Sequence, residues 1–344
     1  MIDSLWPTQV YLAFAASALI VAICGTLMTQ LADRLADLTG LGEAITGAVL
    51  LGATTSLSGT VVSLASAAQG NASLAFSNGV GGIAAQTAFL AVADLVWKRA
   101  NLEHASADIA NIFQAALLSL MLALSLLAHV GPDVTLFAVH PVSVLFVVLY
   151  TYGLTATASI KREPMWRPVN THQTRHDTPD EDGADSKRAL LPVLAGFAIL
   201  VLILASAGFV ISQTGARIAE DAGISQTAVG SLMTAVSTSL PELVTTVAAV
   251  RRGAAQLAVG GIIGGNVFDV LFLTLSDAAY RDGSLYHAIS RNDLLWIAVG
   301  LLMTAILVLG LVARERRGPG NIGTESVGML AVYAVAIVIQ VLNG

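Results

Sequence analysis

The chain has 344 residues, of which 55% are hydrophobic and 12% charged, roughly half of the ~25% charge of a soluble domain. With a mean hydropathy of +0.76, an ordinary globular protein is excluded and membrane lipid is the expected surrounding. The net charge of −6 is carried in the connections between apolar runs. No basic patch interleaved with aromatics is present, so nucleic acid is not an expected partner.

In chain order, the apolar runs read as ten membrane spans, near 9–31, 43–68, 72–97, 107–129, 136–159, 189–213, 224–250, 255–279, 292–313 and 323–342. Each is about long enough to cross the hydrocarbon core as a helix. The fold class expected is an all-α polytopic membrane protein. The first run lacks a positive leader and reads as a retained span rather than a cleaved signal. Its Cys24, the single cysteine, is a packing residue, because one thiol closes no intrachain disulfide. Spans two, three, seven and eight are rich in Gly and Ser, which lets backbones approach closely and permits unwinding where protein lines a cavity.

Between spans five and six lies a polar stretch, 161–188, with Asp177, Asp180, Glu181, Asp182, Asp185, His172 and His176. These acids lack the spacing of a calcium-binding loop, so the stretch reads as a solvated linker between halves 1–160 and 189–344. Placing both termini outside puts Arg34, Lys98, Arg99, the six basic residues of the linker region, Arg251, Arg252, Arg314, Arg316 and Arg317 inside. That is fourteen of the 17 Lys and Arg, and the positive-inside rule then makes 161–188 cytoplasmic. The location expected is the bacterial inner (cell) membrane.

Two carboxylates interrupt the apolar background. Glu242 lies in Ser237-Thr238-Ser239-Leu240-Pro241-Glu242, and Asp269 ends Gly264-Gly265-Asn266-Val267-Phe268-Asp269. An ionisable group at such depth costs at least ~2.5–3.5 kcal/mol on insertion scales and is a functional-site hypothesis by default. Pro241 has no N–H, so the carbonyl of Ser237 loses its helical partner and the helix must kink or break. Free carbonyls, hydroxyls and a carboxylate close together suit a hard cation.

Sliding the sequence on itself brings Gly47–Asp94 onto Gly230–Asp277 without a gap, with 15 identities in 48 pairs. Thr55-Ser56-Leu57 falls on Thr238-Ser239-Leu240, Gly81-Gly82 on Gly264-Gly265, and Asp94 on Asp277. The two copies, motifs 47–94 and 230–277, run in opposite directions across the membrane under the assigned topology. Two inverted five-helix repeats with an ion site near the midplane is a recurrent transporter architecture.

These residues resemble the sodium/calcium exchanger superfamily, the cation/calcium antiporters. Ser239-Leu240-Pro241-Glu242-Leu243 together with Gly264-Gly265-Asn266-Val267-Phe268-Asp269 is similar to its second signature repeat. The first repeat is degenerate: Ser58 and Gly59 stand where the family has proline and glutamate, Ile83 and Gln86 where it has asparagine and an amide or acid, and Gly82 and Gly265 where it has serine. The resemblance implies a secondary-active antiporter working by alternating access, moving a hard cation, Ca2+ first among the candidates, against Na+ or H+. It implies an ion site of Glu242 and Asp269, with Thr238, Ser239 and Ser237 from the same repeat and Thr55, Ser56 and Gln86 from the other; Asn266 is a further candidate.

At Gly59 water is expected to fill the gap left by the missing acid. Protons are a rival coupling ion, since a carboxylate in a low-dielectric site is also a proton acceptor. A monovalent cation/proton exchanger, or a transport-deficient assembly or sensing protein, are the alternatives. No cofactor and no catalytic residue is expected: a His-Glu-x-x-His signature is absent, and no Cys/His cluster suits a soft metal. Asp94 and Asp277 are expected at the membrane interface, and His104, His129, His140 and His287 in solvent. No oligomeric state is assigned.

Overall fold

A computed structural model describes residues 6–39, 52–97, 100–165, 168–169, 172, 190–318 and 322–343. Among these the structure is helical, apart from one isolated bridge between Leu136 and Val139. In order the helices are α1 (Pro7–Thr39), α2 (Leu57–Ala68), α3 (Ala72–Val96), α4 (Leu102–Ser106), α5 (Ile109–Val130), α6 (Pro141–Arg162) and α7 (Leu190–Ala222). There follow α8 (Gln226–Thr238), α9 (Leu240–Arg252), α10 (Ala255–Ala279), α11 (Leu285–Ala288), α12 (Arg291–Ala313) and α13 (Thr324–Asn343).

Eight of these helices are long and apolar enough to cross a membrane, and the pair α8–α9, bent by 45°, makes a ninth if counted as one span. The expected second span, 43–68, falls partly on residues 40–51, outside the described residues, and α2 alone is a shorter apolar helix. Most of 161–188 also lies outside the described residues.

Local chemistry explains several boundaries. Asp108 accepts from Ala110 N at 2.7 Å and caps α5. Pro141 opens α6, where its missing N–H costs nothing. Ser290 and Asp293 form a capping box on α12. The helices α1 and α7 run to 33 residues each, several beyond the expected spans. Charge ends an apolar run without ending a helix: Arg217 and Asp221 sit one turn apart on α7 and pair at 2.8 Å.

The helices pack in two apolar clusters. The larger gathers α3, α5, α10, α12 and α13 around Phe76, Ile83, Met121, Trp296 and Met303. The smaller gathers α1, α2 and α7 around Val21, Met28, Val62, Leu204 and Ile211. Buried most deeply is α3, where even the polar Ser77, Asn78, Gln86 and Thr87 are shielded.

The offset of the sequence repeat recurs in the backbone. Under it, α1 maps onto α7 and α3 onto α10, end to end in both cases. The turns at Gly70 and Gly253 both use the left-handed region, with φ of 81° and 93°. A residue with a Cβ is strained there. At the start of α2, Ser56 has φ −88° and ψ 5°; at the start of α9, Ser239 has φ −95° and ψ 4°. The first copy is therefore interrupted like the second although it has Ser58 in place of Pro241. Each interruption is crossed by a long helix at a glycine. A Cβ at Gly25 of α1 would run into Pro241, and one at Gly208 of α7 would meet the Ser58 carbonyl at 2.8 Å.

Asp94 and Asp277, near the ends of α3 and α10, are fully buried clamps. Asp94 accepts from Leu102 N (2.8 Å) and Gly323 N (2.7 Å). Asp277 accepts from Leu285 N (2.9 Å), His140 N (2.7 Å) and Ser143 Oγ (2.7 Å). Each carboxylate thus ties a short connecting helix to the start of a long one, and the N–H donors are again related by the repeat offset. The histidines are engaged as well: His104 Nδ1 lies 2.7 Å from the Arg314 carbonyl, His129 Nδ1 2.8 Å from that of Tyr286, and His287 Nε2 3.1 Å from that of Gly131. His140 caps α6. Backbone groups leaving a helix end inside a membrane protein need such partners, because unsatisfied ones are costly.

Replacing Asp277 by Ala removes one acceptor from three donors, each worth about 1–3 kcal/mol when left buried and unmatched. The variant is expected to unfold in detergent well below the wild-type temperature. An unchanged melting temperature would show that the clamp does not hold the fold.

Candidate ion-binding site

Helix α8 is irregular. Its middle, Val229–Thr234, is wound as a π-helix, a feature common near functional sites. It stops at Thr238, the chain turns at Ser239, and α9 opens with Pro241 and Glu242 in its first turn. The last carbonyls of α8 and the first turn of α9 therefore meet at one place. Ser237, half-buried on the turn before the break, contributes the carbonyl that Pro241 leaves without a helical donor. The negative end of α8 points its carbonyls into the break, which favours a cation.

Asp269 comes to this break from α10 and is 1% exposed. It is held from the other copy. Ser56 Oγ donates to its Oδ1 at 2.6 Å, and Gln86 Nε2 donates to its Oδ2 at 2.7 Å. Gln86 Nε2 also lies 3.3 Å from Ser239 Oγ, so one amide touches both the carboxylate and the break. Glu242, 6% exposed, lies within electrostatic reach of Asp269 and beside the Thr55 and Ser56 hydroxyls. Tyr150 of α6 lies within electrostatic reach of Asp269 and packs edge-on against Phe268, ring centres 5.8 Å apart. Gly82 and Gly265 border the cluster: a Cβ at Gly82 would stand 3.6 Å from Ser239 Oγ, and one at Gly265 3.5 Å from Gln86 Oε1, both ordinary contact distances.

The structure thus gathers Glu242, Asp269, Ser239, Thr55, Ser56 and Gln86. Thr238 donates back to Thr234 O at 2.9 Å, and its hydroxyl oxygen faces Gly59. Asn266 lies nearly a turn from Asp269 and donates to Thr87 Oγ1 at 3.0 Å, at the flank of the cluster.

Sequence reasoning did not single out two residues. Asn78 braces the first copy: its Nδ2 donates to Gly59 O (3.1 Å) and Ser63 Oγ (2.9 Å), while its Oδ1 accepts from Thr234 Oγ1 (2.7 Å). An amide in a Gly- and Ala-rich span was the available signal. The other is Phe272. A Cβ on Gly59 would lie 2.9 Å from Phe272 Cε2 and 3.3 Å from its Cζ. The expectation of a water-filled gap at Gly59 is therefore corrected: an aromatic edge rests where the first copy lacks its acid.

Three oxygens of this region, Glu242 Oε2, Gln86 Oε1 and Asn266 Oδ1, are buried and receive no donor. Unmatched buried acceptors are expensive, and here they accompany two carboxyl groups. Such a set is short of positive charge. Among the described residues no group of three or more His, Cys, Asp or Glu could hold a metal ion, so a cation here would draw on amides, hydroxyls and carbonyls besides its two acids. Oxygen-only ligation of that kind suits hard cations.

A family model described as sodium/calcium exchanger protein matches residues 9–158 and 192–342. Among curated relatives, the sodium/calcium exchanger MaX1 of Methanosarcina acetivorans is 34% identical over 131 residues, 36% of this chain and 37% of that protein. The inner membrane protein YrbG of Escherichia coli K12 is 32% identical over 37% of each chain. The sodium/potassium/calcium exchanger 1 of Gallus gallus is 27% identical over 52% of this chain and 25% of its own length. The matched stretches thus span between a quarter and two fifths of these relatives. Among solved structures, the H+/Ca2+ exchanger CAX superposes with a TM-score of 0.68 at 14% identity, covering 99% of this chain and 88% of that one. The sodium-calcium exchanger NCX_Mj gives 0.62 at 17%, covering 97% and 99%. These likenesses establish a shared fold.

Introducing an acid at Gly59 is expected to fail alone and succeed in company. Gly59→Glu drives side-chain atoms into the Phe272 ring, an overpacking worth about 1–3 kcal/mol, and should lower the melting temperature. Gly59→Glu with Phe272→Ala should recover it. A single variant as stable as the wild type would mean that the ring does not fill this space.

Proposed function

We propose that this chain, which belongs to the sodium/calcium exchanger protein family, is a secondary-active antiporter that moves a hard cation against Na+ or H+ by alternating access. Ten spans arranged as two inverted five-helix halves would carry it, with both termini outside, 161–188 cytoplasmic, and the bacterial inner membrane as its location. The matching backbone conformations of the two copies support that architecture, and the distribution of basic residues supports the orientation. The chain is an integral membrane protein whose relatives are exchangers and antiporters rather than enzymes.

The observation that carries the reading is the cross-copy cluster on Asp269: a buried carboxylate gripped by Ser56 and Gln86 of one copy, beside Glu242 and the broken backbone of the other. Glu242 and Asp269 supply the charge for the ion. Thr55, Ser56, Ser239 and Gln86 line it, and Thr238, Ser237 and Asn266 add oxygens at its margin. Because ligands come from both copies, a relative movement of the two changes the coordination, as alternating access requires. Ca2+ is the substrate this oxygen set suits first, completed by carbonyls and amides.

A second reading has its own support. With Phe272 on Gly59, the site holds two acids, enough to neutralise one divalent or two monovalent charges. A monovalent cation/proton exchanger fits that balance.

The test uses purified protein in sealed vesicles with Na+, H+ and Ca2+ gradients imposed one at a time. Wild type is expected to drive cation flux down at least one imposed counter-gradient. Glu242→Gln and Asp269→Asn should fall to the level of empty vesicles while staying folded. Flux like wild type in both variants would remove the site from the mechanism, and absence of flux in the wild type under every gradient would favour a transport-deficient role.

A further inference from the structure

The two carboxylate clamps are alike in backbone and unlike in what surrounds them. Around Asp277 stand His140, Ser143 and Tyr286; around Asp94, at the positions the repeat offset pairs with these, stand Gly323, Ser326 and Glu103. Val142, next to that ring, corresponds to Glu325. One end therefore carries two glutamates where the other carries a tyrosine and a valine.

Those glutamates are packed against each other. Glu103 of α4 is fully buried and Glu325, at the start of α13, is 9% exposed. Glu103 Oε1 accepts from Ser326 Oγ at 3.3 Å. Its Oε2 receives no donor, and neither does Glu325 Oε1. A Cβ built on Gly323 would lie 3.0 Å from the first and 3.1 Å from the second, so the two unmatched oxygens border one point. The two carboxyl groups are within electrostatic reach of each other. Two carboxylates only accept, so a direct hydrogen bond between them requires that one of them holds a proton.

The acidic neighbours are Asp94 from α3 and Glu315 from the segment after α12, and His104 Nδ1 of α4 lies 2.7 Å from the Arg314 carbonyl. Asp94 accepts two backbone N–H bonds. Arg314 directs its Nη atoms to the carbonyls of Val169 and His104, and Glu315 accepts from Thr324 Oγ1 at 2.7 Å.

We propose that Glu103 and Glu325 share one proton and form a pH-sensitive latch, which fastens α13 to α4 while the proton is held and loosens when it leaves to water at this end. The topology under Proposed function makes that water cytoplasmic; the latch itself does not depend on which ion is transported. Burial, and next the nearby Asp94, push the Glu103 carboxyl up to about 8, so the folded protein holds this proton across a pH range in which an unfolded chain has released it. Folded stability must then fall as pH rises from the ordinary glutamate value towards about 8, and level off above. With the proton gone, two adjacent anions repel.

Purified full-length protein tests this at a series of pH values from 5 to about 9, by melting temperature and by infrared spectroscopy of carboxyl groups. Wild type should show a protonated-carboxyl band that disappears near pH 8, together with a falling melting temperature. The double variant Glu103→Gln/Glu325→Gln should lack that band and that fall. So should Glu103→Tyr/Glu325→Val, which installs the residues of the other clamp, and the conservative Glu103→Gln alone keeps the test open if a double variant does not fold. Hydrogen exchange at residues 101–106 and 322–326, corrected for intrinsic rate, should accelerate above pH 8 in wild type only. A band unchanged by the substitutions, or a pH profile shared by wild type and variants, would overturn the latch.

Discussion

The hydrogen bonds that Ser56 and Gln86 make to Asp269 are the constraint on which the centre of this molecule depends. A lone carboxylate inside a bilayer protein is expensive. Here one charge is shared by three segments of backbone: α10 supplies it, the interruption at Ser56 caps one oxygen and α3 caps the other. The two copies therefore cannot separate at this point without stranding a buried carboxyl group, and an unmatched buried acceptor costs about 1–3 kcal/mol. The same bonds bring Ser239 and Glu242 of the second interruption against residues of the first.

Away from the centre the same chemistry is used structurally. Asp94 and Asp277 each collect N–H groups from one short helix and one long one. They fix where α13 and α6 begin, while the Asp269 cluster fixes how α10 meets the interruptions. Buried carboxylates thus do two jobs in one fold, and their hydrogen bonds tell them apart. Each clamp takes two backbone N–H donors, whereas Asp269 takes its hydrogen bonds from the Ser56 and Gln86 side chains.

Much of this was legible in the primary structure. Hydropathy located the apolar runs, and the motif around Pro241 located both the break and its carboxylate, since proline disrupts a helix whatever surrounds it. Self-comparison paired Ser56 with Ser239 and Gln86 with Asp269, positions that meet in space. What was not legible depended on three dimensions. The first copy has Ser58 in place of a proline, yet Ser56 turns as Ser239 does, where Gly208 packs on the Ser58 carbonyl and Asn78 braces Gly59. That Asp94 and Asp277 clamp backbone N–H groups was not legible either, because the burial of their partners is invisible in a linear pattern. The reach of α1 and α7 was underestimated because charged residues end an apolar run without ending a helix.

Gly59 and Phe272 show how a missing charge is absorbed. Had the first copy kept a carboxylate at 59, it would have stood opposite Glu242 in the repeat and close to Thr238. Three acids within one low-dielectric volume repel one another unless cations or protons compensate. Removing one lowers that repulsion but leaves a void, and voids in a packed interior forfeit contacts along their whole lining. The ring of Phe272 occupies that space with apolar atoms, so the loss of charge comes with a loss of ligand volume. In the antiport reading the site is then one-sided: the acidic side chains lie on α9 and α10, while the first copy contributes neutral hydroxyl and amide groups. An ion in such a site is gripped by charge from one copy and only guided by the other, which makes the charge balance, rather than the cavity size alone, the property that selects what it carries.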